Sequence, residues 1–229
     1  MSSKRYKNLF KEEKDMNPKS INDLLSKIKQ NSNTKFDESI DLSFQINNKQ
    51  KKGEVNIRTV VNMPSGTGKK IKVAVLCDES QKAAAEKAGA DIVGGDDLIE
   101  KIKAGELNFE KLICSPKKMI SLSKLGKILG PKGLMPNPKL GTVTDDIVKA
   151  VKDAKSGQVE VKNDKDGNIG VSIGKKSFTN DKILSNFNAI IETLEKEKGN
   201  NSFKGEMIKS AYLTSTMGIS YKLKLDKNF

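Results

Sequence analysis

Histidine and tryptophan are absent from the 229-residue chain, and arginine occurs only as Arg5 and Arg58. Without histidine the chain has no Ser-His triad, no imidazole general base and no histidine-based metal site, which excludes many enzyme mechanisms. The remaining positive charge is lysine, which meets phosphate as a point charge, whereas reading base edges depends on bidentate arginine. The composition therefore favours recognition of a partner's backbone and shape.

Cysteines and long apolar runs are also scarce. Cys77 and Cys114 each end an apolar run typical of a strand, IKVAVLC and KLIC. This pattern predicts two reduced, buried thiols in a cytosolic protein. No run of 18 apolar residues is present, which predicts no membrane span, and the first 20 residues lack the apolar core of a signal peptide. We therefore expect a cytoplasmic protein.

Positive charge, by contrast, is abundant. The chain has 42 Lys and Arg against 29 Asp and Glu, a net charge of +13 and an isoelectric point near 9.5. An excess of this size favours a polyanionic partner, with nucleic acid ranked before an anionic membrane surface.

The middle of the chain alternates between strand and helix patterns. The predicted strands are Ile71–Cys77, Asp91–Val93 and Lys111–Cys114, and the predicted helices are Ser80–Ala88, Asp97–Ala104, Lys117–Leu129 and Asp145–Ala154. Asp96 or Asp97 is predicted to cap the second helix and Thr144 the last one, while Gly89 and Gly105 end the first two. This alternation indicates a parallel sheet flanked by helices.

The two ends of the chain have a different pattern. Phe36, Ile40, Leu42, Phe44 and Ile46 share one face of an alternating strand. Further strands are predicted at Glu54–Asn62, Gln158–Lys162, Asn168–Ile173 and Met207–Leu225, and a helix at Ile183–Leu194. Neither end can form a core alone. We therefore predict α/β and α+β parts in two domains: a split α+β domain (1–66 and 157–229) and an inserted α/β domain (67–156).

The segment LGKILGPKGLMPNPKLGTVT, residues 125–144, holds four glycines, three prolines, three lysines and no acid. This composition predicts a loop whose lysines face a polyanion, or alternatively a loop that clasps the other domain. "MPSGTGKK" lacks the spacing of a phosphate-binding loop, and "DESQK" after Cys77 has no glycine for a dinucleotide. In "SAYLTSTMG" the hydroxyls, methionine and glycine predict either a contact surface or a plain strand.

The 125–144 segment is similar to the signature loop of the bacterial large-subunit ribosomal protein L-one family. "KFDES", "MPSGTGKK", "AGADIVGGDDL", "LICSP", "KNDKDGNI", "SIGKKSF" and "TSTMG" resemble that family in order and spacing, from about Ile21 to Lys224. The resemblance implies an RNA-binding domain built from both termini and an inserted Rossmann-like, three-layer α/β domain.

The resemblance also implies a function. Members are structural parts of the large ribosomal subunit that bind large-subunit rRNA at the mobile stalk and assist release of deacylated tRNA from the exit site. Many repress translation of their own mRNA. The chain is accordingly expected to be no enzyme, to use no cofactor or metal, to have no membrane partner, to be a monomer when free, and to reside on the cytoplasmic ribosome.

The residues that carry the family's functions fall into two groups. The expected RNA-binding residues are Lys35, Phe36, Ser210, Thr216, Met217 and Gly218, with Asp164 and Lys165 as weaker candidates. For Phe36 a core position is an equal alternative, because it is in phase with Ile40. The signature-loop residues are Gly130, Lys132, Gly133, Met135, Pro136, Asn137 and Pro138.

Two other functions compete with this one. A nucleotide- or sugar-binding α/β enzyme would need a phosphate loop and a catalytic set that the sequence does not offer. A nonspecific DNA-binding module would show the same affinity for stalk-type rRNA and random duplex in a salt titration.

Overall fold

The computed structural model of the chain describes residues 3–12, 19–47, 57–105, 107–200 and 205–224. In this part the fold is mixed α and β, which confirms the predicted class at that level. The chain divides into two compact units, Met1–Gly68 with Val159–Phe229, and Lys69–Gln158. None of the described helices is long and apolar enough to cross a membrane.

The helices and strands of the described residues are, in chain order, α1 (Lys4–Glu12), α2 (Ile21–Asn31), β1 (Ser39–Ile46), β2 (Arg58–Asn62), β3 (Val73–Leu76), α3 (Glu79–Lys87), β4 (Ile92–Gly94), α4 (Asp96–Lys103), β5 (Lys111–Cys114), α5 (Pro116–Ser123), α6 (Gly126–Leu129), α7 (Ile147–Lys155), β6 (Gln158–Lys162), β7 (Asn168–Lys175), α8 (Asn180–Asn200), β8 (Ile208–Ser215) and β9 (Tyr221–Leu223), with a 3-10 helix at Pro138–Leu140.

The first unit contains a four-stranded antiparallel sheet in the order β7–β1–β8–β9. Ile40, Leu42, Phe44 and Ile46 alternate along β1 and are buried, as their period of two predicts. α2 packs against β8 and β9, and α8 packs against β7. Their apolar side chains and those of the sheet form one core cluster. β2 and β6 form a separate two-stranded sheet.

Two strand predictions in this unit are wrong. Phe36 precedes β1 and is 52% exposed, so it is no core residue despite its phase with Ile40. The expected strand Met207–Leu225 is a hairpin of two strands, β8 and β9, because the chain reverses at Thr216–Gly218. Of the predicted strand Glu54–Asn62, the structure has Arg58–Asn62, and residues 54–56 lie outside the described part.

The second unit contains a parallel sheet of three strands in the order β4–β3–β5, as the strand–helix alternation predicts. Ala74 and Leu76 of β3 face a cluster that includes side chains of α4 and α5. Val73 and Val75 face a second cluster with side chains of α3 and α7. All four residues of β3 are buried, because helices cover both faces of the sheet.

Helix limits in this unit differ from the predictions at three points. The expected helix Lys117–Leu129 is interrupted at Leu125, which separates α5 from α6. Asp146 caps α7 instead of Thr144, and its carboxylate accepts a hydrogen bond from the Lys149 N–H. Gly95 is the N-cap of α4, so neither Asp96 nor Asp97 caps it. A cap depends on backbone geometry that composition does not specify.

Cys77 and Cys114 are both free and buried, as their apolar surroundings predict. Burial raises the pKa of both thiols, and that of Cys114 reaches about 11. Because the thiolate is the reactive form, these side chains act as small apolar core residues.

Candidate RNA-binding surface

The hairpin turn that carries Thr216, Met217 and Gly218 is fixed to the start of β1. The Thr216 N–H donates to the Ser39 carbonyl at 3.0 Å, and the Ser39 N–H donates to the Thr216 hydroxyl at 2.9 Å. Within the turn, the Gly218 N–H donates to the Ser215 carbonyl at 3.0 Å. The two bonds between Thr216 and Ser39 join residues far apart in sequence and fix the turn against the start of β1.

A buried carboxylate, Glu38, links the turn to the segment that carries Lys35 and Phe36. Its two oxygens accept hydrogen bonds from the Met217 N–H at 3.1 Å and from the Thr34 hydroxyl at 2.8 Å. Desolvation by burial alone would raise the pKa of Glu38. The hydrogen bonds from Ser215, Thr34 and Met217, with the charge of Arg5, outweigh that effect and lower the pKa. Glu38 is therefore an ionised anchor beneath the surface.

Two of the expected contact residues have internal partners. The Thr216 hydroxyl is bonded to the backbone of Ser39, as described above. A Cβ atom at Gly218 would lie 2.4 Å from Oγ of Ser215, so a larger residue would displace the Ser215 hydroxyl within the turn itself. In the structure Thr216 and Gly218 thus shape the turn.

The side chains left for contact are those of Lys35, Phe36 and Met217. Phe36 is 52% and Met217 48% exposed, and Lys35, which follows the end of α2 and directly precedes Phe36, is also exposed. The segments of Phe36 and Met217 are joined through Glu38 and Thr34, and Arg5 donates a hydrogen bond to the Met217 carbonyl. Two exposed apolar side chains and a cation on well-fixed backbone suit a polyanion that also presents flat apolar faces.

The sheet beside this turn has one exposed face. Ser210 and Tyr212 of β8 point to it and pair with Gln45 and Ser43 of β1. The Ser210 hydroxyl donates to Oε1 of Gln45 at 3.4 Å. Tyr212 is 39% exposed. Sequence reasoning missed Tyr212, although its position two residues after Ser210 on a strand indicates the same face.

Asp164 and Lys165 lie in the exposed turn between β6 and β7. The Asp164 carboxylate accepts hydrogen bonds from the backbone and side chain of Asn168, at 2.7 and 3.1 Å, and these bonds lower its pKa. Asp164, Asn168 and Ser43 line the same shallow groove of about 370 Å³. The groove therefore joins this turn to the exposed sheet face.

The signature loop lies in the second unit and is held by its own hydrogen bonds. The Asn137 N–H donates to the Thr142 hydroxyl at 2.7 Å, and Oδ1 of Asn137 accepts from the Lys139 N–H at 2.9 Å. Pro136 is buried and Met135 half-buried, while Gly130, Lys132, Gly133 and Pro138 are exposed. Gly133 has a φ of 69°, a conformation that favours glycine. The loop is ordered and presents Lys132 at its surface.

Metal ligands are not grouped in the described part of the chain, where no set of three or more His, Cys, Asp or Glu side chains is placed to hold an ion.

Comparison with known proteins places this arrangement in a family. Residues 28–219 match the model of the Ribosomal protein L1p/L10e family. Large ribosomal subunit protein uL1 of Pelagibacter ubique (strain HTCC1062) is 67% identical over 227 residues, which cover 99% of each chain. The uL1 of Rickettsia africae (strain ESF-5) is 44% identical over 205 residues, 90% of this chain and 85% of that one. The uL1c of Arabidopsis thaliana is 44% identical over 223 residues, 97% of this chain and 64% of that one.

These matches define the class as a structural ribosomal protein and not an enzyme. Within that class, the chain belongs to the Ribosomal protein L1p/L10e family, which confirms the resemblance seen in its motifs. Its place is accordingly on the ribosome in the cytoplasm.

Proposed function

We propose that the chain is a structural constituent of the large ribosomal subunit and binds large-subunit rRNA at the mobile stalk. Relatives that cover nearly the whole chain are large ribosomal subunit proteins, and the net charge of +13 suits a polyanionic partner. We assign the contact to a stalk-binding surface composed of Lys35, Phe36, Ser210, Tyr212 and Met217, with Asp164 and Lys165 at its edge. Thr216 and Gly218 hold its turn in shape.

The observation that carries the proposal is the pair of exposed apolar side chains, Phe36 and Met217, on backbone anchored by buried Glu38. Bases and riboses present apolar faces, and stacking of a base on an aromatic ring is a general means of binding RNA loops. A surface that is already ordered loses little conformational entropy on binding. With two arginines in the whole chain, we expect recognition of RNA shape more than of base edges.

We further propose that the two units act as two domains. Residues 1–66 and 157–229 would form the split α+β domain that binds RNA, and residues 67–156 an inserted Rossmann-like domain. The parallel sheet with helices on both faces supports this second assignment.

Two additional roles follow from recognition by shape, and both are proposals. An mRNA segment that folds like the stalk rRNA would occupy the same surface. A copy of the protein that is not bound to a ribosome would then repress translation of its own mRNA. On the stalk it would contact exit-site tRNA and assist its release. We propose that the free protein is a monomer.

The decisive experiment measures affinity for a stalk segment of large-subunit rRNA with the double substitution Phe36→Ala and Met217→Ala. Stacking is worth about 1–3 kcal/mol per base, so we expect a loss of affinity of roughly 5- to 150-fold. The slope of log affinity against log salt should stay unchanged, because no charge is removed. Lys35→Ala should instead lower that slope by about one unit.

The matched control is Phe10→Ala, since Phe10 is another exposed aromatic residue of the same unit, at 53% exposure. It should bind the rRNA like the wild type. An equal loss with Phe10→Ala, or full affinity of the folded double variant, would contradict the proposed surface. Equal affinity for stalk rRNA and random duplex DNA would favour the nonspecific DNA-binding alternative.

A further inference from the structure

The two arginines of the chain differ in exposure, since Arg58 is exposed and Arg5 is half-buried. Arg5 lies in α1, four residues before Leu9, whose side chain is buried in the core cluster of the first unit. Tyr6 packs against the same cluster. Because residues i and i+4 share one face of a helix, Arg5 lies on the face by which α1 docks onto the unit.

The guanidinium of Arg5 binds the backbone of the hairpin turn. Its Nη2 donates a hydrogen bond to the Met217 carbonyl, across 212 residues of sequence. Its Nη1 is buried and has no hydrogen-bond partner among the residues that the structure describes. One nitrogen is thus enclosed and the other is used by the turn. This guanidinium is better placed to hold the turn than to meet a phosphate.

Glu38 holds the other polar group of the same backbone residue. Its carboxylate, on a side chain that is 0% exposed, accepts a hydrogen bond from the Met217 N–H at 3.1 Å. The N–H and the C=O of Met217 are therefore each bonded to a charged side chain, one from α1 and one from the residue directly before β1. Hydrogen bonds with an ionised partner are roughly twice as strong as neutral ones. We call Arg5 and Glu38 the charged clamp.

Stability is a poor explanation for the charged clamp. A buried donor without a partner costs free energy, and Nη1 of Arg5 is such a donor. A buried carboxylate also loses its hydration. What the clamp achieves is a fixed backbone at Met217, whose side chain is 48% exposed. Methionine has three rotatable side-chain bonds, so a fixed Cα is needed to place its thioether on a surface.

We propose that Arg5 is a positioning residue for RNA binding, which makes α1 a part of the RNA-binding apparatus. Arg5 and Glu38 hold the Met217 backbone from both sides, so that the methionine side chain is already in place when RNA arrives. Arg5 itself does not contact RNA. A surface formed in advance loses less conformational entropy on binding. This inference rests on the proposed function, because it requires that Met217 contacts the stalk rRNA.

The test compares Arg5→Met with Arg58→Met in the full chain. Methionine keeps the apolar stem of arginine and removes its charge and its donors. The control is matched, because Arg58 belongs to the same unit and is also engaged, in an ion pair with Glu160 at 2.7 Å. We expect Arg5→Met to weaken binding of the stalk rRNA segment roughly tenfold, the equivalent of one charge-assisted hydrogen bond, and Arg58→Met to bind like the wild type.

The salt dependence distinguishes positioning from contact. The slope of log affinity against log salt should be unchanged in Arg5→Met, because a positioning residue neutralises no phosphate. A slope lowered by about one unit would show that Arg5 contacts a phosphate, and it would overturn the positioning role.

A double-mutant cycle with Met217→Ala separates positioning from general destabilisation. If Arg5 acts through Met217, Arg5→Met should weaken binding much less in the Met217→Ala background, whereas the losses from Arg5→Met and Lys35→Ala should add. Affinities are measured below the melting transition of each variant, as followed by circular dichroism. If Arg5→Met does not fold, the same cycle uses Arg5→Lys, which keeps the charge and a donor and should show a smaller loss of the same kind.

Wild-type affinity of the folded Arg5 variant, or a loss that persists in full in the Met217→Ala background, would overturn the role of Arg5 and leave the proposed function standing. Full affinity of the folded variant with both Phe36→Ala and Met217→Ala would overturn the stalk-binding surface and this inference together.

Discussion

The antiparallel sheet of the first unit and the parallel sheet of the second bury different numbers of faces. Along β1, buried Leu42 and Phe44 alternate with exposed Ser43, whereas all four residues of β3 are buried. Helices cover both faces of the parallel sheet, while the antiparallel sheet leaves one face exposed. The first unit can therefore bind a partner on its sheet, and the second must do so on its helices and loops.

Most of the exposed large apolar side chains that the structure describes follow the same difference. In the first unit Phe36, Met217 and Tyr212 lie on the exposed sheet face or at its end, and Phe10 on helix α1 is the exception. In the second unit Ile120 lies on the outer side of a helix, among lysines. A surface on a sheet inherits the order of the strands, which suits recognition of shape. A surface of lysines on a helix suits nonspecific attraction.

The largest expected effect tests the buried faces. The side chains of Leu112 and Ile113 point to opposite faces of the parallel sheet. Each of the substitutions Leu112→Ala and Ile113→Ala should lower the free energy of unfolding of the second unit by about 2–5 kcal/mol. In β1, Leu42→Ala should cost a similar amount, but Ser43→Ala should stay within about 0.5 kcal/mol. Urea unfolding followed by circular dichroism measures all four. If either Leu112→Ala or Ile113→Ala left the free energy of unfolding unchanged, the parallel sheet would not be buried on both faces.

A smaller effect is expected at Glu38, the anchor of the turn Thr216–Gly218. Glu38→Gln puts an amide N–H against a hydrogen-bond donor, and a buried polar group left unpaired costs about 1–3 kcal/mol. Because the pKa of Glu38 is lowered in the folded state, its ionised form stabilises the fold above the unfolded-state pKa, about 4.3. That contribution is lost as pH falls through the folded-state pKa.

The gap in unfolding free energy between wild type and Glu38→Gln should accordingly be constant near neutral pH and narrow below pH about 4. Thermal melts between pH 3 and pH 7 test this. A gap that stays constant down to pH 3 would mean that the carboxylate is not the stabilising group. Asp37→Asn, an exposed neighbour that accepts hydrogen bonds from Ser177, serves as the control.

The smallest expected effect concerns Gly218. In Gly218→Ala the added methyl group meets Oγ of Ser215 at 2.4 Å, so that hydroxyl must rotate away from Glu38. We expect a loss of about 1 kcal/mol, the net value of one hydrogen bond. In a double-mutant cycle with Ser215→Ala the two losses should not add, because the same hydrogen bond is removed twice. Additive losses would show that the clash lies elsewhere.

The local sequence pattern was sufficient to predict most of the helices and strands. The limits of β5 and β6 agree with the prediction, and the buried residues of β1 after Ser39 follow the period of two. Gly89 has a φ of 96° directly after α3, as a helix-ending glycine predicts. These features depend on residues close in sequence, so a window of a few residues is enough to predict them.

The candidate site was predictable in its members but not in their roles. Motif resemblance named Phe36, Thr216, Met217 and Gly218, yet the roles of Thr216 and Gly218 depend on contacts with Ser39 and Ser215. Composition indicated a cationic loop at residues 125–144, and the structure adds that its charge continues onto α5. Glu38 and Tyr212 were not named at all.

By itself the sequence determined the mixed α/β class, the burial of both cysteines, the excess of positive charge and membership of the family. Only the tertiary structure decided that Glu38 is buried, that Phe36 is exposed, and that the chain reverses at Thr216–Gly218. The physical reason is distance along the chain. The partners of this turn are Arg5, Glu38 and Ser39, about 180 to 210 residues away. A buried carboxylate is stable only where hydrogen-bond donors meet it, and the turn supplies such a donor to Glu38 in the Met217 N–H.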